Sequence, residues 1–329
     1  MDVPARHARA AAILEEFAPS TGLTSPAKPR RYLWTDAFAV YTWLGMGRVD
    51  LARRLIKQVH EVLGVSRDPE HPTARGLRIG KPLPERAQDE PYDTDLEWER
   101  DGQYYHYLTK WMHALERTAR ATSEARYHRW AVELAQAAHR AFAYPPGAPA
   151  RLYWKMSVDL SRPLVPSMGM HDPLDGLVAM AALGLERETR ELARMCEGRR
   201  WATDDPLGAG GLLLDALALA RSAFKPLLAQ VLADAGLSVD AAARSIGLGS
   251  PAARRLAFRE LGLALGLHAV EPLAALVDAT RLLAFVPLAQ RLEDFWLEPA
   301  QQAVPSWTEH RDINAVTLAA CLAPEGTLS

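Results

Sequence analysis

Residues 36–63 read DAFAVYTWLGMGRVDLARRLIKQVHEVL, and this stretch decides how the rest of the chain is read. An apolar run opens behind Asp36, a residue type that caps helices, and Gly45 and Gly47 supply the stop. From Val49 to Leu63 apolar residues again recur at helical spacing, so two helices joined by a short turn form an antiparallel hairpin. Working outward, the same unit repeats. The spacing predicts helices over 102–120 and 123–142, the second ended by Pro145-Pro146-Gly147, and then over 171–183 and 186–197. Further helices are predicted over 206–221, 225–235, 251–267, 272–284, 287–297 and 312–322. Asp172-Pro173-Leu174 and Asp205-Pro206-Leu207 open two of them alike, with a cap followed by proline in the first turn. The sum is about twelve helices in about six hairpins, a number that closes naturally into a ring with an inner and an outer layer.

Two stretches break this rhythm. Five prolines between Pro69 and Pro91 forbid a long helix over 65–100, and the segment ends in the acidic run Asp93-Thr94-Asp95-Leu96-Glu97-Trp98-Glu99. Over 151–165 the alternation of Leu152, Trp154, Met156, Val158 and Leu160 predicts a small β-excursion. Ahead of the repeats, Ala10 to Leu14 reads as an amphipathic surface helix, followed by a Pro/Ser/Thr/Gly linker over 19–29. The expected organisation is therefore an N-terminal helix and linker over 1–29 and one domain over 30–329.

Composition excludes several classes. The 329 residues hold 56 Ala against 5 Ile, a bias toward helix formers that makes an all-β fold improbable. Hydrophobic residues at 49% and charged ones at 24% match a globular protein with a large core. A net charge of −2 removes the positive field that nucleic acid attracts. The apolar run at Ala10–Leu14 stops at Glu15-Glu16, too short for a signal-peptide core, and 261–277 is too interrupted for a membrane span. Cys196 and Cys321 alone make neither a disulfide framework nor a zinc signature, so a reduced, cytoplasmic protein is expected.

The hairpin count, with aromatic and acidic residues at the starts of inner helices, resembles the (α/α)6 toroids of the six-hairpin glycosidase superfamily. The carrying residues are Tyr32-Leu33-Trp34-Thr35-Asp36-Ala37-Phe38, Gly102-Gln103-Tyr104-Tyr105-His106-Tyr107-Leu108, Gly169-Met170-His171-Asp172-Pro173-Leu174-Asp175 and Trp307-Thr308-Glu309-His310-Arg311-Asp312. The resemblance covers about residues 30–322 and is one of architecture and of Trp-x-Asp flavour, with no complete catalytic motif of a single family. It implies a sugar-binding funnel at one end of the ring, lined by aromatics and carboxylates. Such folds also host sugar epimerases, polysaccharide lyases and cyclases.

Glycoside cleavage needs one protonated and one ionised carboxyl group. Asp36, beside Trp34, is one candidate and equally reads as a simple cap. Glu97, in the acidic run, is a second, because repulsion among neighbouring carboxylates raises a pKa; the plain alternative is a solvated loop in which Trp98 forms a lid or wall. His106, His171 and Asp172 follow at two further helix starts, with Asp172 also readable as a cap. Glu309 and His310 precede the last long helix, where Arg311 is either a clamp for a substrate carboxylate or phosphate, or a structural partner of Asp312 or Asp36. Trp34, Tyr104, Tyr105, Trp154 and Trp307 are the expected sugar-stacking residues, and an aromatic stripe of Tyr104, Tyr107 and Trp111 reads as core. No His-x-x-x-His spacing marks a metal site, no Walker loop is present, and Gly208-Ala209-Gly210-Gly211 reads as helix packing rather than dinucleotide binding, so no cofactor is expected.

The expected function is glycoside hydrolysis by paired carboxylates. Two alternatives stand beside it: a sugar epimerase using His106 and His310 as bases, and a non-catalytic helical scaffold. The expected partner is a small carbohydrate or sugar acid, with no nucleic acid and no membrane, and a homo-oligomer is left open.

Overall fold

The computed structural model describes residues 2–144, 150–222 and 224–329, so the expected stop at Pro145-Pro146-Gly147 lies outside the described residues. The chain falls into two compact units, one of Ala18–Glu197 and one of Met1–Phe17 with Gly198–Ser329. Helix α1, Val3–Ser20, runs from the second of these into the first.

In the 18–197 unit the elements are α2 (Leu33–Gly45), α3 (Val49–Leu63), α4 (Thr94–Glu99), β1 (Gln103–Tyr104), α5 (Tyr105–Thr122), α6 (Ala125–Phe142), β2 (Lys155–Met156), β3 (Pro163–Val165), α7 (Asp172–Ala182) and α8 (Glu186–Cys196). Three hairpins result: α2 packs on α3, α5 on α6 and α7 on α8. Two of the turns are dictated by glycine. Gly47, at φ 73°, lets the Arg48 N–H reach the Trp43 carbonyl at 2.8 Å while its own N–H bonds Leu44, and Gly184, at φ 71°, does the same for Leu185 and Met180 at 3.0 Å. Helices α2, α5 and α7 lie side by side and carry the unit's core, with Trp43, Trp111, Tyr105 and Phe142 fully buried.

The breaks in rhythm take shape here. The strand signal over 151–165 is realised only as β2 and β3, which with β1 form a three-stranded antiparallel sheet in the order β1-β2-β3. Gln103 and Tyr104, expected inside a helix, pair instead with Met156 and Lys155, and α5 starts at Tyr105. The acidic run folds as α4, capped by the Asp93 carboxylate on the Leu96 N–H at 2.9 Å.

The other unit holds α9 (Pro206–Arg221), α10 (Leu228–Ser245), α11 (Ala257–Leu267), α12 (Val270–Ala274), α13 (Val286–Leu297), α14 (Pro299–Gln302), α15 (Pro305–Thr308), α16 (Arg311–Leu322) and α17 (Glu325–Leu328). Asp205 caps α9 as the sequence predicts, accepting from the Gly208 N–H at 3.2 Å. The helix expected over 272–284 is not continuous: α12 stops at Ala274 and a 3-10 helix occupies Thr280–Phe285. The long α10, Leu228–Ser245, extends well past the 235 expected. Among the described residues no helix is long and apolar enough to cross a membrane, and Cys196 and Cys321 are both buried.

Candidate functional site

Within the 18–197 unit the starts of α2, α5 and α7 meet. Trp34, on the first turn of α2, is half-buried, with its ring centroid 5.3 Å from Tyr107 and 6.0 Å from His106. His106 lies on the first turn of α5 and stacks on Tyr104 at 5.4 Å, and its Nδ1 is 3.6 Å from Oδ1 of Asp172, the first residue of α7. Asp172 is 3% exposed and its Oδ2 accepts the Gly169 N–H at 3.2 Å, so the turn before α7 fixes the carboxylate that faces the imidazole. The N-cap of α7 is His171, half-buried, and not Asp172 as the sequence suggests.

Three further buried carboxylates of this unit, Asp36, Glu97 and Asp175, lie beside cations. Asp36 is not the cap of α2, which starts at Leu33; it sits in the first turn, 1% exposed, where Oδ2 accepts the Tyr32 N–H at 3.0 Å and Oδ1 is 3.3 Å from Arg31 Nη1. Glu97 is 2% exposed, and Arg86 Nε and Lys155 Nζ donate to it at 3.0 and 2.9 Å. Its neighbours are cations, not the carboxylates whose repulsion the acidic run suggests. Lys155 is fully buried and also donates to the Glu97 and Arg100 carbonyls at 2.6 and 2.9 Å. Burial pulls the Lys155 ammonium below the usual lysine range, against the opposing pull of Glu97. Lys110 Nζ donates to Asp175 at 2.7 Å. Removing one partner of such a buried ion pair strands the other charge, at a cost of about 3–5 kcal/mol.

Aromatic groups line the cluster. Trp98, 39% exposed on α4, meets Trp154 edge-to-face at 4.9 Å and Tyr104 at 6.3 Å. The Tyr32 and Tyr107 hydroxyls are 2.7 Å apart, and burial raises both phenols above their ordinary range. Tyr105 does not belong to this lining. It is fully buried, packed on Phe142, and its hydroxyl lies where a side chain on Gly176 would clash.

The remaining candidates lie in the other unit. Glu309, His310 and Arg311 are exposed between α15 and α16. The His310 ring meets Phe258 at 5.7 Å, and Arg311 reaches Glu16 at 3.6 Å, with both ends of that pair largely in solvent, so Arg311 is exposed and not the buried cation that a structural pair would need. Trp307 is 4% exposed and stacks on Trp296 at 5.7 Å, which makes it core and not a stacking surface for a ligand. The sequence reading passed over Arg31, Lys155 and Lys110, the cations that hold the carboxylates. Lys155 had no signal, because it shares the polar phase of the alternation with Ser157 and Asp159, which reads as facing solvent. Among the described residues no group of three or more His, Cys, Asp or Glu could hold a metal ion.

No protein-family model and no curated protein matches the chain. Solved structures do match it. A GH76 alpha-mannanase of Bacteroides thetaiotaomicron aligns over 97% of this chain and 96% of that one, with a TM-score of 0.64 and 10% identity. Cellobiose 2-epimerase of Spirochaeta thermophila DSM 6192 aligns over 88% and 86%, with a TM-score of 0.55 and 13% identity. A sugar epimerase from a ruminal bacterium aligns over 82% and 76%, with a TM-score of 0.51 and 12% identity. The fold of this chain is that of the six-hairpin, glycosidase-like (α/α)6 toroids.

Proposed function

We propose that the protein is a carbohydrate-active enzyme whose proton transfer runs through His106 and Asp172. The observation that carries this reading is the 3.6 Å approach of His106 Nδ1 to the buried Asp172 carboxylate among Trp34, Tyr104 and Tyr107. A carboxylate beside one imidazole nitrogen orients the ring and leaves the other nitrogen to take or give a proton at a sugar carbon or hydroxyl. Two of the matched structures are named as sugar epimerases, a reaction class that needs this kind of proton transfer.

Hydrolysis by paired carboxylates is the second reading, supported by the fuller coverage of the mannanase at 97% of the chain. Against it, Asp36 and Glu97 are both held by buried cations. The test is turnover of neutral oligosaccharides followed by nuclear magnetic resonance, in which an epimer and a new reducing end give different signals. Replacing His106 by Ala or Asp172 by Asn is expected to lower the rate about 100-fold or more without a matching loss of melting temperature. Retained turnover in both variants rules out the assignment.

A further inference from the structure

Two polar groups in the aromatic cluster are buried with nothing to bond. Tyr104 is 4% exposed, and neither its hydroxyl nor the Trp154 indole Nε1 has a hydrogen-bond partner among the described residues. Buried donors are almost always paired in native proteins, so an orphaned pair marks strain or a missing ligand. The main chain carrying both rings is fixed. Tyr104 is held by its ladder pairing with Lys155, Lys155 is tied to Glu97, and the Trp154 carbonyl accepts the Tyr105 N–H at 3.3 Å. Both rings share one neighbour, the partly exposed Trp98, whose adjacent residue Glu97 is locked by Arg86 and Lys155. The indole of Trp98 is thus partly exposed on a backbone that its neighbour holds in place.

We propose that Trp98 covers a binding position for a neutral sugar, and that a sugar ring engaging this indole takes its hydrogen bonds from the Tyr104 hydroxyl and the Trp154 Nε1–H. This rests on the carbohydrate reading above and names the substrate class of that site. An indole face accepts the apolar face of a sugar ring, while the two donors meet its oxygens. Burial raises the Tyr104 phenol above its ordinary range, so it remains a donor at neutral pH. The preference for a neutral ring follows from the cations packed around the cluster. Arg86 and Lys155 hold Glu97, Arg31 holds Asp36 and Lys110 holds Asp175, so each already serves a carboxylate of the protein.

The test titrates the full chain with mannobiose, cellobiose and glucuronic acid, following tryptophan fluorescence and thermal melting, for the unmodified protein and for Tyr104→Phe and Trp154→Phe. A neutral disaccharide is expected to give a saturable signal, with glucuronic acid weaker. Each variant is expected to weaken that binding about tenfold. Without sugar, the melting temperature of Tyr104→Phe should hold or rise, because an unpaired buried hydroxyl has been removed, whereas Trp154→Phe also loses packing on Trp98. Wild-type affinity in both variants, tighter binding of glucuronic acid, or a fall in the melting temperature of Tyr104→Phe overturns the proposal. If Tyr104→Phe and Trp154→Phe bind normally while His106→Ala abolishes turnover, this inference fails and the acid–base reading stands. If no sugar of the panel binds the unmodified protein, both fail.

Discussion

His60 carries a pH dependence that can be worked out from one side chain. Burial drives its imidazole from 6.5 down to about 3, and its Nε2 accepts the Trp111 indole N–H at 3.1 Å, a bond that only the neutral ring can receive. The folded value lies below the unfolded one, so the unfolded chain binds the proton first as pH falls. The stability tied to His60 is therefore complete above about pH 6.5 and is lost on the way down toward the folded value, at about 1.4 kcal/mol per pH unit. Denaturant midpoints measured between neutral and acid pH should show this limb, and His60→Gln, which keeps an acceptor for Trp111 without titrating there, should flatten it. An unchanged limb in that variant would assign the acid sensitivity to another group. At the same scale the acidic and aromatic residues of the site were legible in the sequence as candidates, but their roles were not. Asp36 and His106 both stand at helix starts, and only their neighbours, Arg31 in one case and Asp172 in the other, separate a carboxylate beside a cation from an imidazole beside a carboxylate.

Between elements, the crossing of α9 and α11 depends on glycine. A Cβ on Gly210 would lie 2.0 Å from the Gly262 carbonyl oxygen, and one on Gly266 would lie 2.4 Å from the Gly210 Cα, so the two backbones touch where side chains would hold them apart. Gly211, one residue on, meets nothing within 4 Å. Gly210→Ala is expected to destabilise by about 1–3 kcal/mol through overpacking, whereas Gly211→Ala should gain up to about 1 kcal/mol from helix propensity. Denaturant unfolding of the two variants checks the contrast, and equal effects would mean that the backbones do not approach in this way. The glycine run at 208–211 was legible as packing, but which glycine matters was not, since both look alike in sequence. Helix α3 was read with its observed bounds, Val49–Leu63, because a strict apolar period and a glycine stop coincide there. Residues 272–284 were not, because apolar side chains continue through a stretch in which α12 has ended and a 3-10 helix has yet to begin.

Across the whole molecule, chain ends far apart in sequence are tied within one unit. Arg6 of α1 donates to Glu293 at 2.7 Å and to the Cys321 carbonyl at 2.9 Å, and His268 Nε2 lies 2.5 Å from the other oxygen of Glu293, which is fully buried. Arg6→Ala leaves that carboxylate with His268 alone and is expected to cost about 3 kcal/mol or more. Thermal melting is the readout, with Arg9→Ala, on the same helix and exposed, as the control that should change little. Equal melting temperatures for the two variants would show that α1 does not clamp this unit through Arg6.

Helical hairpins with glycine at their turns, as at Gly47 and Gly184, were determined by the sequence, because helical period and chain reversal are written in consecutive residues. Which charges meet was decided only by tertiary structure. Glu97 and Lys155 are 58 residues apart and Lys110 and Asp175 are 65 apart, so no local pattern couples them. Their pairing depends on which helix starts and strand edges the packing of apolar faces brings together, and that packing decides which polar groups of the cluster are satisfied and which are left waiting for a partner.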